Sequence, residues 1–428
     1  MTREVGGMCV VLDGRLQSGH PGGVEQVVIG MAHGLSALDG PERYVFLAFE
    51  GSSDWLRPFV SGPCSIVEVP TPIDWSDTRR ARLARVFPRL AEMRRKVLRA
   101  VRGGTSQPAL PVPESDGTAE RLGADVVHLL HQNGFRTDIP SIYHPHDLQH
   151  RHLPEFFSPE DRAQRDAAWS ALCDQARMVS VTSQWGKHDL VEQYGLDPAK
   201  IAVVHLAPAI EAYAEPTPEQ CRSVAEKFDL PARFVLYPAQ TWPHKNHVRL
   251  VRAIGLLRDR GVDVRLVCTG TMNSGFAAIE DAVRELGLSD SVSFLGFVES
   301  EELRALYQLA TCLVMPTLFE AAGGFGPIAE AFSTGLPVAS SNVTSLPEEV
   351  GDAALVFDPY DESQIADALE RLWSDEELRT ELAVRGHARV ARYSWDKTAR
   401  TFRAYYRHIA GSPLTEEDRT LLAEPTDY

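Results

Sequence analysis

No two of the six cysteines, Cys9, Cys64, Cys173, Cys221, Cys268 and Cys312, lie within four residues of each other, so the chain has no CxxC redox or metal pair. They fall in apolar runs such as MCVVL, RLVCTG and TCLVMP, which predicts buried, reduced thiols. Positive charge is also in short supply. The 43 Lys and Arg face 59 Asp and Glu, a formal charge of −16. A nucleic-acid partner calls for the opposite balance. No stretch approaches the roughly 18 apolar residues of a membrane span. The apolar run after MTREVGG is too short for a secretory leader. These absences predict a cytoplasmic protein. An Asp-x-Asp pair, one common way to hold a catalytic divalent cation, is missing too.

What remains is ordinary globular material: 428 residues, 44% hydrophobic and 24% charged, enough for two cores. Apolar runs of four to eight residues alternate with amphipathic stretches. Strands are predicted at 8–13, 44–49, 65–69, 125–131, 140–144, 178–183 and 201–206, with helices at 23–38, about 159–176, and from 184. A Pro, Ala and Glu-rich stretch, 207–220, reads as a linker. The pattern then restarts, with strands at 234–239, 263–270, 291–297, 312–317, 337–341 and 354–359. Alternating strands and helices imply right-handed crossovers and parallel sheets. The expected fold is α/β: two Rossmann-like, doubly wound domains, 1–208 and 209–393, with a cleft between them.

One segment breaks the pattern. Residues 77–104 hold ten Arg and Lys, among them Arg94, Arg95 and Arg99, against only Asp77 and Glu92. Leu83, Phe87, Leu90, Val97 and Val101 fall near helical spacing. A solvated amphipathic helix explains this, and so does a surface that meets an anionic membrane or acceptor. The Pro and Gly-rich stretch 103–120 reads as a mobile loop.

Open parallel sheets bind ligands beyond the carboxyl ends of their strands, where helix N-termini offer free N–H groups to phosphate. Three strand-to-helix loops suit this. LDGRLQSGHPGGVEQVV carries Gly22 and Gly23. FVLYPAQTWPHKNHVRL carries Gln240 and Lys245, and a lysine at a helix start is a poor match for the helix dipole unless an anion joins it. CLVMPTLFEAAGGFGPIAEAF carries Glu320, Phe325, Gly326 and Glu330; its glycines allow close backbone approach, and Pro327 suits a first helical turn. A Gly-rich turn with a surface glutamate is the plainer reading of the third. His144, His146, His150 and His152 in IYHPHDLQHRH invite a metal reading by residue type alone. Ser183, before a helix, reads as an N-cap.

The segment 312–359, with PIAEAFSTGLPVASSNVTSLPEE in register, resembles the donor-binding region of the family 4 retaining glycosyltransferases. That resemblance implies the GT-B fold and transfer of a sugar from a nucleotide diphosphate donor, with GDP-mannose and UDP-hexoses in view. It implies that Glu330 binds the ribose and that Glu320, with N–H groups around Phe325 and Gly326, reaches the sugar. Lys245 matches the family's diphosphate lysine, and Gln240 stands about where the family has an arginine. Gly22 and Gly23 match the glycine loop over the phosphates. His146 and Asp147 match a His-Asp pair facing the transferred sugar. The resemblance implies no catalytic metal and no cofactor beyond the donor. SWDKTARTFRAYYRHI resembles a C-terminal helix, within 394–428, that returns to the first domain. The family places seven residues between its two glutamates, and here nine separate Glu320 from Glu330. The expected catalytic residues are thus His146, Lys245 and Glu320, with a glycan, a lipid-linked compound or a small molecule as acceptor. A sugar-nucleotide epimerase and a non-catalytic nucleotide-sugar-binding partner are the alternatives on the same fold.

Overall fold

A computed structural model describes residues 7–16, 22–71, 112–321 and 325–424. The basic segment 77–104 and the first half of the 103–120 loop lie outside those residues. The described end of that loop is ordered by pairing: Ser115 N donates to Arg136 O at 2.8 Å, and a helical turn follows at Thr118–Arg121.

Two parallel sheets organise the chain. The first has seven strands: β1 (Cys9–Asp13), β2 (Arg43–Phe49), β3 (Cys64–Val69), β4 (Val126–Leu129), β5 (Ser141–Tyr143), β6 (Met178–Val181) and β7 (Ile201–Val203). Their order is β3-β2-β1-β4-β5-β6-β7. The second has six: β8 (Val235–Pro238), β9 (Leu266–Thr269), β10 (Val292–Phe294), β11 (Cys312–Met315), β12 (Val338–Ser341) and β13 (Ala354–Phe357), ordered β10-β9-β8-β11-β12-β13. Each predicted strand is present; β2 and β3 begin one residue earlier than expected, and the others are trimmed by a residue or more. Most are buried on both faces because helices cover both sides of each sheet, which is why they read as unbroken apolar runs. All six cysteines are buried and unpaired.

The stretch expected to be a linker is more ordered than its composition suggests. Ala207, Ala209 and Ile210 are buried. Thr217 and Gln220 form a reciprocal capping box that opens the Pro218–Lys227 helix.

Strand order reverses direction between β1 and β4 in one sheet and between β8 and β11 in the other. Crevices open at such switch points, and here the two crevices face each other. The Trp395–Ala410 helix packs along the Gly23–Ser36 helix of the first sheet. Gly30 and Gly34 permit this close approach: a Cβ on Gly30 would stand 1.9 Å from the Trp395 ring, and one on Gly34 2.4 Å from the Trp395 carbonyl. Trp395, Ala399, Phe402 and Tyr406 join the core of the first sheet, and Tyr406 Oη lies 2.8 Å from buried His128 Nδ1.

A separate apolar contact joins the two halves. Leu153 and Trp185 from the first pack on Leu318, Phe319 and Ala321 from the second. Beside it the Glu348 carboxylate accepts from the backbone N–H of Gln184 at 2.7 Å and of Trp185 at 2.9 Å. One half thus caps the first turn of the other half's Gln184–Tyr194 helix. Ser183 caps the same helix from within, accepting from Gly186 N at 3.0 Å.

Candidate functional site

A cleft of about 510 Å³ lies between the two sheets, a size suited to a substrate-sized ligand. Gly22, Gly23, His146, Gln240, Lys245, Glu320, Gly326 and Glu330 all line it. Phe325 opens the Phe325–Ser333 helix at the cleft's edge; its side chain is outside the description. These residues come from loops after β1, β5, β8 and β11, strands at or near the two switch points.

The Lys245 loop is shaped by its neighbours in the chain. Pro243 starts a single 3-10 turn, Pro243–Lys245. Asn246 then takes a left-handed conformation (φ 63°), which asparagine tolerates better than most residues. Its Nδ2 donates to Pro316 O at 2.9 Å and Pro359 O at 2.8 Å, tying the loop to the ends of β11 and β13. Leu318 N donates to His244 O at 2.8 Å. The Lys245 and Glu320 loops are therefore stitched together. Lys245 Nζ meets Glu320 Oε2 at 2.5 Å, with both side chains mostly shielded. Glu320 is held by its backbone: its N–H donates to Thr344 Oγ1 at 3.2 Å and its carbonyl accepts from Ser345 Oγ at 3.0 Å. The two additional residues between the glutamates leave Glu320 in the cleft.

Glu330, in the Phe325–Ser333 helix, accepts a hydrogen bond from Tyr307 Oη at 2.6 Å. Burial pushes its carboxyl up to about 7, and the tyrosine bond opposes that rise. Oε2 is engaged by the phenol, which leaves Oε1 for a ligand hydroxyl.

His146 is a non-glycine residue with φ 66°, a strained conformation of the kind that clusters at binding sites. Its ring stacks on His144 with centroids 4.3 Å apart. Its Nε2 lies 2.9 Å from Leu130 O. A carbonyl only accepts, so Nε2 carries the proton. Burial lowers the ring's pKa to about 4 despite that bond, so His146 is neutral at pH 7, with Nδ1 an acceptor. Asp147 also lines the cleft; burial raises its carboxyl to about 6, against a bond from Gln149 N.

The other histidines of that segment go to separate partners. His150 Nε2 lies 2.8 Å from Asp166 Oδ1, and His152 Nε2 lies 2.7 Å from Asp189 Oδ1. Among the described residues no three His, Cys, Asp or Glu stand together as a metal set. Lys245 is the single Lys or Arg among the described lining residues, which also include the carboxylates Glu25, Asp147, Glu299, Glu320 and Glu330.

Sequence reasoning passed over Tyr307 and Trp242. Tyr307 reads as one more core position in LRALYQL, and nothing local points to a carboxylate 23 residues later.

Comparison with known proteins gives a consistent picture. Residues 223–389 match the family described as glycosyl transferases group 1, and residues 21–207 match glycosyltransferase family 4. O-antigen chain mannosyltransferase B of Escherichia coli is 32% identical over 269 residues, 61% of this chain and 68% of that protein. D-inositol 3-phosphate glycosyltransferase of Corynebacterium urealyticum is 30% identical over 286 residues, 64% of this chain and 66% of that protein. The matched stretches thus span about two thirds of these relatives. Among solved structures, Anabaena HepE in complex with UDP and glucose superposes with a TM-score of 0.67 at 18% identity, covering 93% of this chain and 99% of that one. WaaG, a glycosyltransferase involved in lipopolysaccharide biosynthesis, gives 0.61 at 16% identity, covering 94% and 100%. These likenesses establish the GT-B fold.

Proposed function

Because the chain belongs to the group 1, family 4 glycosyltransferases, we propose that it transfers a hexose from a nucleotide diphosphate donor to an acceptor hydroxyl with retention of anomeric configuration. The observation that carries this reading is the convergence of Lys245, Glu320, Glu330 and His146 on one interdomain cleft.

In this reading Glu330 Oε1 accepts from the ribose hydroxyls while Tyr307 steadies Oε2. Lys245 turns from Glu320 toward the diphosphate, aided by the N-termini of the Gly23–Ser36 and Phe325–Ser333 helices. Glu320, released from the lysine, accepts from sugar hydroxyls, and His146 Nδ1 accepts from another. Negative charge on the leaving phosphate grows in the transition state, so Lys245 contributes more there than in the ground state. The acceptor hydroxyl attacks from the face the diphosphate leaves, and a phosphate oxygen takes its proton. Shielding by both halves suppresses hydrolysis.

The mannosyltransferase named among the relatives favours GDP-mannose, and the UDP-bound neighbour keeps UDP-hexoses in view. The acceptor is a glycan, a lipid-linked compound or a small molecule. Incubation with GDP-mannose and UDP-glucose, followed by NMR of the product anomer, tests the reading. An inverted product overturns retention, and an epimerised sugar nucleotide formed without acceptor overturns transfer.

No helix among the described residues is long and apolar enough to cross a membrane. The arginine-rich sequence 77–104 supports peripheral contact with an anionic membrane. Binding to phosphatidylserine vesicles that falls steeply with salt, and is abolished by replacing Arg94, Arg95 and Arg99 with Glu, is the expected result. No binding at low salt overturns it.

A further inference from the structure

Glu320 is held from both sides along the chain, and both holds come from the other half. Phe319, the residue before it, is 3% exposed. Its ring enters a socket made by His152, Leu153 and Trp185. The Trp185 ring meets it edge-on, with centroids 5.8 Å apart, and the His152 ring centroid lies 5.2 Å away. Aromatic pairs of this kind favour set geometries over free sliding. Ala321, the residue after Glu320, presents its carbonyl to Ser183, whose Oγ donates at 3.4 Å.

The socket is itself anchored. His152 Nε2 lies 2.7 Å from Oδ1 of buried Asp189, and the Trp185 N–H donates to Glu348 at 2.9 Å. His152 and Trp185 also pack on each other, with ring centroids 5.5 Å apart. The tether from Glu320 to the Phe325–Ser333 helix is a weaker restraint. Nine residues separate Glu320 from Glu330, and a longer tether confines its end less. Fixing the backbone on either side of Glu320 sets the direction in which its side chain leaves the chain, toward Lys245 Nζ at 2.5 Å.

We infer that Phe319 and Trp185 are positioning residues through which the first half sets the pose of Glu320, a carboxylate that belongs to the second. Neither lines the cleft, so each acts through Glu320. The effect on turnover rests on the donor-site reading above; the effect on the Lys245–Glu320 pair does not. Glu320 is correctly aimed only while the first half is seated on Phe319. A donor held by an unseated second half would meet Lys245 and Glu330 but a misdirected Glu320, and a misplacement of about 1 Å can cost on the order of a hundredfold in rate. The socket thereby makes cleavage of the donor conditional on contact between the halves.

The test uses the full chain with isotope-labelled lysine, its side-chain ammonium signals read by NMR and the Lys245 signal assigned with Lys245→Arg. A shielded carboxylate partner slows ammonium proton exchange, so Lys245 should give a sharp signal in wild type that Glu320→Gln abolishes. Trp185→Ala should abolish it too, and so should Phe319→Leu, the milder change if alanine unfolds the chain. Trp185→Phe, which keeps a ring in the socket wall, should retain it. A wild type without the signal, or a signal that survives both Trp185→Ala and Phe319→Leu, overturns the inference. With the hexose donor that wild type uses, Trp185→Ala or Phe319→Leu should lower kcat about tenfold and leave nucleoside diphosphate affinity within about twofold. Added to Glu320→Gln, the same change should cost less than about twofold in kcat. Equal kcat losses in both backgrounds overturn positioning through Glu320 and leave the donor site standing. Wild type that transfers no hexose and binds neither guanosine nor uridine diphosphate overturns the donor-site reading, while the NMR result still decides the socket.

Discussion

Lys245 and Glu320 neutralise each other across 2.5 Å, joining the loop after β8 to the loop after β11 at the floor of the cleft. A diphosphate must displace that carboxylate to reach the ammonium. Glu320→Gln should therefore tighten nucleoside diphosphate binding by a few-fold while lowering turnover, because the freed lysine no longer has a competing anion. Lys245→Ala should weaken the diphosphate about tenfold or more, the scale of a charge-assisted hydrogen bond, and lower kcat as well. Calorimetry paired with steady-state rates reads both. Weaker diphosphate binding by Glu320→Gln would rule out the competition.

Glu330 and His146 should separate binding from turnover. Glu330→Ala should cost roughly tenfold or more in nucleoside diphosphate affinity, because ribose hydroxyls lose a partially buried acceptor. His146→Ala should leave that affinity within about twofold and reduce kcat. The opposite pattern, affinity lost at His146 and kept at Glu330, would remove the assignment of ribose to one half and sugar to the other.

Glu349 offers a measurement of stability. It is fully buried, its Oε1 is hydrogen-bonded to Ser345 Oγ, and Oε2 has no hydrogen-bond partner among the described residues. Burial raises its carboxyl from 4.5 to about 8. A carboxyl with a higher pKa folded than unfolded binds more protons in the folded state. Its contribution is therefore most favourable below about pH 4.5 and declines as pH rises to about 8. Glu349→Gln removes that decline. The Tm difference, variant minus wild type, should climb between pH 5 and pH 8. A flat difference would show that Glu349 ionises normally.

Glu348 spans the two halves by accepting from Gln184 N and Trp185 N. Loss of a helix cap costs about 0.5–2 kcal/mol, and here the loss falls on an interdomain contact. Glu348→Ala should lower kcat several-fold, leave nucleoside diphosphate affinity nearly unchanged, and increase the radius of gyration in small-angle scattering. Unchanged kcat and radius would mean that the apolar contact around Phe319 is sufficient alone.

Transfer should persist in excess chelator, since Lys245 and helix N-termini do the work of a cation on the diphosphate. Activity abolished by chelator and restored by magnesium or manganese would contradict this.

The sheets were legible because each strand buried on both faces is an apolar run, and the site loops because each follows a strand near a switch point. The order inside the linker was not legible because Pro, Glu and Thr are also the residues of a capped helix start, and Thr217-Pro-Glu-Gln220 is one. Partners distant in sequence could not be read. Tyr307 meets Glu330, and Glu348 meets Gln184, only after the sheets have assembled. Charge states were hidden for the same reason: the neutrality of His146 follows from its burial and from Leu130 O.

Trp395, Phe402 and Tyr406 complete the core built on β1 and the Gly23–Ser36 helix. The ribosome delivers these side chains only after the whole second sheet. At about 5–20 residues per second, roughly 200 intervening residues take about 10–40 s. Throughout that interval the nascent first half carries an apolar groove along Gly30 and Gly34 with nothing to fill it. Its maturation is consequently tied to synthesis of the Trp395–Ala410 helix, and a chain stopped short of Trp395 would remain a client for chaperones rather than a smaller folded protein.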